Sequence, residues 1–172
     1  MNLFFPLTLF GAFLAVGGES ALLILQLRGR KLQKWFGRWA FPLHATITLI
    51  LWFLTFIFYF LMQLADSPPF HNNLVVRCLG LVLLVFGLVL ATWGFLVLGL
   101  KRSLCLNFFE EDVPVVQEHY LFHYIREPED YGLWMVLFGL ALVTGSTYNL
   151  FVAFTFVALM LPHQWLENRP LQ

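Results

Sequence analysis

Between residues 118 and 132 the chain reads Glu-His-Tyr-Leu-Phe-His-Tyr-Ile-Arg-Glu-Pro-Glu-Asp-Tyr-Gly, with two histidines, one arginine and four of the ten carboxylates in fifteen residues. Three kinds of chemistry are open to it. His119, His123 and Glu127 stand at i, i+4 and i+8 on one helical face, and two imidazoles with a carboxylate form a metal-ligand set. Pro128 ends that face, and five histidines in the whole chain are too few for a histidine-box di-iron oxidase. Arg126 offers instead a fixed cation that grips the carboxylate of a ligand beside aromatic faces. In the third reading the charges solvate an interfacial helix and pair with one another, as charge runs commonly do.

The rest of the chain must hold this polar stretch at a membrane surface. Of 172 residues 60% are hydrophobic, 12% are charged and twenty are Phe; mean hydropathy is +0.78. Water cannot solvate that much apolar surface on a fold of this size, whereas a bilayer can. Ten basic and ten acidic residues cancel, so no net charge favours nucleic acid, and none is expected as a partner. Cys78 and Cys105 fit no metal or disulfide framework and read as small hydrophobes. The expected fold is an all-α integral membrane protein forming a single transmembrane domain over 1–172, with about five transmembrane helices.

The first span is expected at about 3–27. It lacks the basic n-region of a cleaved signal and reads as a retained helix. Glu19 inside it must face protein or water rather than lipid, either as a ligand contact or as a carboxyl bonded to a neighbouring helix. Arg28, Arg30, Lys31, Lys34 and Arg38 follow, half of the ten basic residues, and they assign loop 28–38 to the cytoplasmic side and the N-terminus to the outside. The second span, about 40–64, carries His44 one turn from its start; such a histidine either ligates a cofactor or bonds to a neighbouring helix. The loop 65–73 holds no Lys or Arg. The third span, about 74–100, repeats Gly80, Gly87, Gly94 and Gly99, a small-residue pattern that allows close helix packing. Segment 101–131 is then cytoplasmic. The apolar stretch 132–161 is too long for one upright span and too short for two full ones. Its polar middle, Thr144 to Asn149, predicts a short re-entrant helical hairpin of two helices of about thirteen residues each.

Phe122-His123-Tyr124-Ile125-Arg126-Glu127-Pro128-Glu129-Asp130-Tyr131-Gly132 resembles the signature of the isoprenylcysteine carboxyl methyltransferase and phospholipid methyltransferase superfamily, roughly Gly-x-Tyr-Arg-x-x-Arg-His-Pro-x-Tyr-x-Gly. An apolar hairpin and a Glu-x-x-x-Leu element follow in that family; here they are Leu133 to Leu161 and Glu167 with Leu171. The resemblance spans about 74–172. Arg126, Pro128 and Gly132 match. Phe122 keeps the ring of the family tyrosine, while Tyr120, His123, Glu127 and Asp130 replace the leading glycine, an arginine, the signature histidine and the second tyrosine. Family members also continue past the position of Gln172 into a longer tail.

The resemblance implies a membrane-embedded methyltransferase that takes S-adenosylmethionine at the cytoplasmic face and a lipidic or prenylated acceptor from the bilayer. It implies Arg126 and Glu127 as catalytic residues and His123, Tyr124, Arg126, Pro128, Gly132 and Glu167 as cofactor-binding ones. Membrane lipids and a lipidic small molecule are the expected partners. From another class, a catalytically inactive methyltransferase-fold protein serving as a structural subunit, with other membrane subunits as partners, would fit the altered motif positions. A relative of the sterol reductases would need a dinucleotide phosphate site, and no such motif is present.

Overall fold

A computed structural model describes residues 3–65, 67–70, 73–109, 125 and 127–167. His119, Tyr120, Phe122, His123, Tyr124 and Arg126 lie outside the described residues, as does most of segment 101–131 beyond Phe109. Among the described residues there is no sheet; the one β-type pairing is an isolated bridge between Pro69 and Ser146.

The helices are α1 (Phe4–Leu27), α2 (Lys31–Phe36), α3 (Ala40–Gln63), α4 (Leu74–Leu98), the single turn α5 (Leu100–Ser103), α6 (Pro128–Thr144) and α7 (Thr147–Glu167), with 3-10 turns at Gly37–Trp39 and Leu106–Phe108. Four stretches are long and apolar enough to cross a membrane: Phe4–Leu27, Lys31–Gln63, Leu74–Leu98 and Thr147–Glu167. At ~1.5 Å per residue, the 21 to 25 residues of α1, α3, α4 and α7 rise roughly 31–38 Å, which matches a ~30 Å hydrocarbon core with tilt. Large apolar side chains point outward along them, among them Phe53, Phe60, Phe86 and Leu96. In water such a surface would drive aggregation; in a bilayer it is the solvated face.

The described residues divide into two compact units. Of the described residues, the first comprises 3–65, 104–109 and 158–167. In it α1 buries Thr8, Gly11, Ala12, Ala15, Val16, Glu19, Leu23 and Gln26 along one face, at helical three- and four-residue steps. That face meets α3, where Gly11 lies against Thr55. The buried residues of α3 are Ala40, His44, Thr48, Thr55 and Met62, again a single stripe. Where α1 ends and α3 begins, Leu23, Leu32, Ala40, Cys105, Phe108 and Phe109 form an apolar cluster. Two glutamines fasten the turn at 105–109 to it. Gln26 Nε2 donates to the Phe108 carbonyl at 3.0 Å and to Gln33 Oε1 at 3.0 Å, and Gln33 Nε2 donates to the Phe109 carbonyl.

Of the described residues, the second unit comprises 67–70, 73–103, 125 and 127–157, and its core is the pairing of α4 with α6. Gly80, Gly87 and Gly94 are the buried residues of α4, each set against α6 backbone near Gly139, Gly132 and Glu129 respectively. The pairing runs in opposite directions along the two helices, so they are antiparallel. Gly99, the fourth glycine of the predicted series, does something else: it ends α4 at φ 74°, a conformation other residues resist.

The polar middle of the last hydrophobic stretch is a tight break. Gly145 ends α6 at φ 65°, and Ser146 Oγ accepts from the Asn149 backbone N–H at 3.1 Å, capping the start of α7. Phe138 and Phe154 then meet edge to face across the hairpin, with ring centroids 5.1 Å apart. The helices have 17 and 21 residues rather than about thirteen each, because helix continues through Pro162 to Glu167 and α6 starts at Pro128. The break is strapped to the segment leading into α4: Phe70 N–H donates to Gly145 O at 2.9 Å and Thr147 N–H to Pro68 O at 3.0 Å. Ser67 Oγ and Ser146 Oγ share a hydrogen at 2.6 Å. These bonds satisfy the turn's backbone groups, which hydrocarbon cannot do.

Candidate functional site

The polar groups of the first unit gather at one place from three elements. Helix α1 supplies Glu19 and Ser20, the turn after α5 supplies Cys105, and the end of α7 supplies His163 and Glu167, one helical turn apart. Cys105 sits at φ 63°, a left-handed conformation unusual for a non-glycine residue, which starts the 3-10 turn at Leu106. Glu19, Cys105 and His163 are all buried. One ligand atom from each of these three lies within 4.8 Å of the others.

The bonds within the cluster are specific. Cys105 Sγ lies 2.8 Å from Glu167 Oε1 and 4.0 Å from Glu19 Oε1. His163 Nε2 lies 3.3 Å from the same Glu167 Oε1. The far side of Glu19 is held by Trp52, whose Nε1–H donates to Oε2 at 3.3 Å. Ser20 Oγ stands 3.0 Å from His163 Nδ1 and donates its single hydrogen to the Val16 carbonyl at 2.7 Å. Ser20 must therefore accept from His163, which places a proton on Nδ1 and turns Nε2 toward Glu167.

His44 on α3 completes the surroundings. It is 1% exposed, packs against the Phe109 ring at a centroid distance of 5.2 Å, and lies within electrostatic range of His163 and Glu167. Neither of its ring nitrogens has a hydrogen-bond partner among the described residues, and the same holds for Thr48 Oγ1 one turn further along α3. A buried imidazole without partners costs free energy of order 1–3 kcal/mol, so this is an unusual place to find one.

Of the residues expected to bind cofactor or to act in catalysis, Glu167 belongs to this unit, and the six others either lie outside the described residues or belong to the second unit. His123, Tyr124 and Arg126 are outside the described residues. Glu127, Pro128 and Gly132 are in the second unit: Glu127 immediately precedes α6, Pro128 occupies its first turn, and Gly132 packs against α4. A Cβ on Gly132 would stand 2.3 Å from the Ala91 backbone nitrogen, so helix packing alone requires glycine there. Sequence reasoning singled out Glu19 and weighed His44, but it read Cys105 as a hydrophobe and left Ser20 and His163 without a role. The available signal was the His163–Glu167 spacing, which puts an imidazole and a carboxylate on one helical face.

A family model described as phospholipid methyltransferase matches residues 75–171. No curated protein and no solved structure matches the chain.

Proposed function

The chain belongs to the phospholipid methyltransferase family, and we propose that it is a membrane-embedded, S-adenosylmethionine-dependent methyltransferase acting on a lipidic or prenylated acceptor. The observation that carries this reading is the extent of the family match, which runs from the start of α4 through the hairpin and beyond Glu167. It therefore includes every residue proposed to meet the cofactor.

In this reading Arg126 grips the cofactor's carboxylate, His123 and Tyr124 flank it, and Glu127 and Arg126 line the reacting centre. Pro128 and Gly132 set the start and the depth of α6 beneath it. Glu167 fits the polar end of the same molecule: its Oε1 is taken by Cys105 and His163, while its Oε2 has no partner among the described residues and can accept from an amine or hydroxyl. When bound, the cofactor supplies a methyl group activated on a sulfonium. The protein's part is alignment and exclusion of water, with little acid–base work, so a carboxylate at 127 in place of the family imidazole is compatible with the chemistry. The α6–α7 hairpin is read as entering and leaving on the cytoplasmic face, re-entrant in topology, with the acceptor arriving from the bilayer beside it. The N-terminus is outside, loops 28–38 and 101–131 are cytoplasmic, and the whole chain acts as one transmembrane domain.

A second reading is favoured by one specific observation. The retained Gly132 is accounted for by its approach to Ala91, so the conserved-looking frame would persist in a catalytically inactive protein that serves as a structural subunit among other membrane proteins. Calorimetry of S-adenosylmethionine binding to the protein in mild detergent separates the two. The methyltransferase reading expects micromolar binding, weakened at least tenfold by Arg126→Ala. Absence of binding by folded protein leaves the structural subunit.

A further inference from the structure

We infer that Glu19, Cys105, His163 and Glu167 form a binding site for one divalent transition-metal ion of the zinc class. This site is independent of the cofactor reading above, although Glu167 would border both.

The donor set is the first argument. A thiolate, an imidazole nitrogen and carboxylate oxygens are the ligands that zinc and its neighbours take, commonly four in a tetrahedron. Bond lengths of about 2.0–2.3 Å place tetrahedral donors roughly 3.3–3.8 Å apart. Glu167 Oε1 already stands 2.8 Å from Cys105 Sγ and 3.3 Å from His163 Nε2, and the Glu19, Cys105 and His163 donors lie within 4.8 Å of one another. Three of the donors thus stand close enough to share an ion, and Glu167 is already in contact with two of them.

The second argument is the orientation of His163. Metal-bound histidines almost always give their other ring N–H to a fixed acceptor, and Ser20 is that acceptor at 3.0 Å. With Nδ1–H committed, Nε2 faces the Glu167 carboxylate, whose Oε1 also meets Cys105 Sγ. Acceptor faces acceptor there unless something positive sits between them. Protons on Nε2 and Sγ meet that need in the metal-free protein. One divalent ion replaces those two protons, forming bonds to Nε2 and Sγ as the protons leave, so the buried charge does not change. That balance matters in a site with little solvent, where an added net charge would be costly.

The third argument is His44. Among the described residues its two nitrogens have no partner, and the ring is 1% exposed and within electrostatic range of His163 and Glu167, so the donor set borders buried polar capacity that it does not use.

The test is metal content and cobalt spectroscopy on tag-free, full-length protein in detergent. Zinc-supplemented protein should retain close to one equivalent through gel filtration. Cobalt-loaded protein should show a thiolate-to-cobalt charge-transfer band with tetrahedral d–d bands. Cys105→Ser should abolish the charge-transfer band, His163→Ala should cut metal affinity at least tenfold, and Cys78→Ser, which changes the exposed cysteine, should leave both signals intact. Folding of each variant is read from helical circular dichroism. Should Cys105→Ser fail to fold, the wild-type band against the Cys78→Ser band still decides the matter, since Cys78 and Cys105 are the two cysteines of the chain. Absence of retained zinc and of a thiolate band in folded wild-type protein would overturn the proposal and leave a proton-shared network, as would a band that disappears in Cys78→Ser. Metal retention is measured without S-adenosylmethionine, so its outcome and that of the cofactor experiment are read separately.

Discussion

Gly87 and Gly132 exclude each other's side chains reciprocally: a Cβ on Gly87 would stand 2.6 Å from the Gly132 carbonyl oxygen, and one on Gly132 would stand 2.7 Å from the Gly87 oxygen. Gly80 and Gly139 repeat the relationship seven residues away in each helix, at 2.9 and 2.8 Å. Two backbones in direct contact at two levels make α4 and α6 a single packed element. In a bilayer, where lipid removes the hydrophobic drive between helices, such close approach is what holds a pair together.

Gly132→Ala is therefore expected to destabilise the protein by about 1–3 kcal/mol, the usual range for overpacking, because the atoms it meets are backbone and cannot rotate away. Gly139→Ala should behave alike, its Cβ falling 2.6 Å from the Leu84 nitrogen. Gly17→Ala meets nothing nearer than Phe13 at 4.0 Å and should be neutral. Thermal unfolding in detergent checks all three. Equal midpoints for Gly17→Ala and Gly132→Ala would contradict the packing argument.

The break between α6 and α7 makes a second prediction. Ser146 Oγ accepts the Asn149 N–H and meets Ser67 Oγ, so Ser146→Ala removes a helix cap and one end of the strap. Loss of a cap costs about 0.5–2 kcal/mol. Hydrogen exchange should show the first turn of α7 opening sooner in this variant, while exchange in α1 and α3 is unchanged.

How far the sequence announced these features depends on the range of the interaction concerned. The long apolar helices follow from hydropathy, since twenty or more apolar residues leave few alternatives in water or lipid. The Gly80, Gly87 and Gly94 stripe was visible as a seven-residue period, but its partner was not: Gly132 reads as a motif glycine until α6 is seen lying on Ala91. The break at Gly145-Ser146 was legible from turn residues, whereas the helix lengths around it were not, because Pro162 ordinarily signals an end and here lies inside α7. Glu19 stood out because a carboxyl in an apolar span needs a partner. Cys105 did not, because its meaning comes from a left-handed turn and from residues 86 positions before it and 62 after it, a relation that local pattern cannot carry.

Gln26 gives a third prediction of the same long-range kind. Fully buried, it donates to both Gln33 and the Phe108 carbonyl. Gln26→Leu keeps the volume roughly constant but leaves that carbonyl and the Gln33 amide unsatisfied. Buried unpaired groups cost about 1–3 kcal/mol, so unfolding should shift by that amount, with amides of 105–109 losing protection first. If the 105–109 turn carries Cys105 into the cluster as described, Gln26→Leu should also weaken metal retention without touching a ligand.

Ser20 separates a metal site from a proton-shared network most cleanly. Its hydroxyl donates to Val16 and accepts from His163 Nδ1, and so acts as a positioning residue one bond removed from the metal. Ser20→Ala deletes the acceptor, lets the ring turn, and allows the proton to move to Nε2, the atom needed as ligand. Removal of such an orienting partner typically costs 10–100-fold in metal affinity. Ser20→Thr retains the hydroxyl and should restore most of it. Nitrogen-15 spectra of the His163 ring in zinc-supplemented protein read this directly: Nδ1 protonated and Nε2 metal-bound in the wild type, Nε2 increasingly protonated in Ser20→Ala. A packing role for Ser20 would move the unfolding midpoint and leave both the tautomer and the metal affinity where they were.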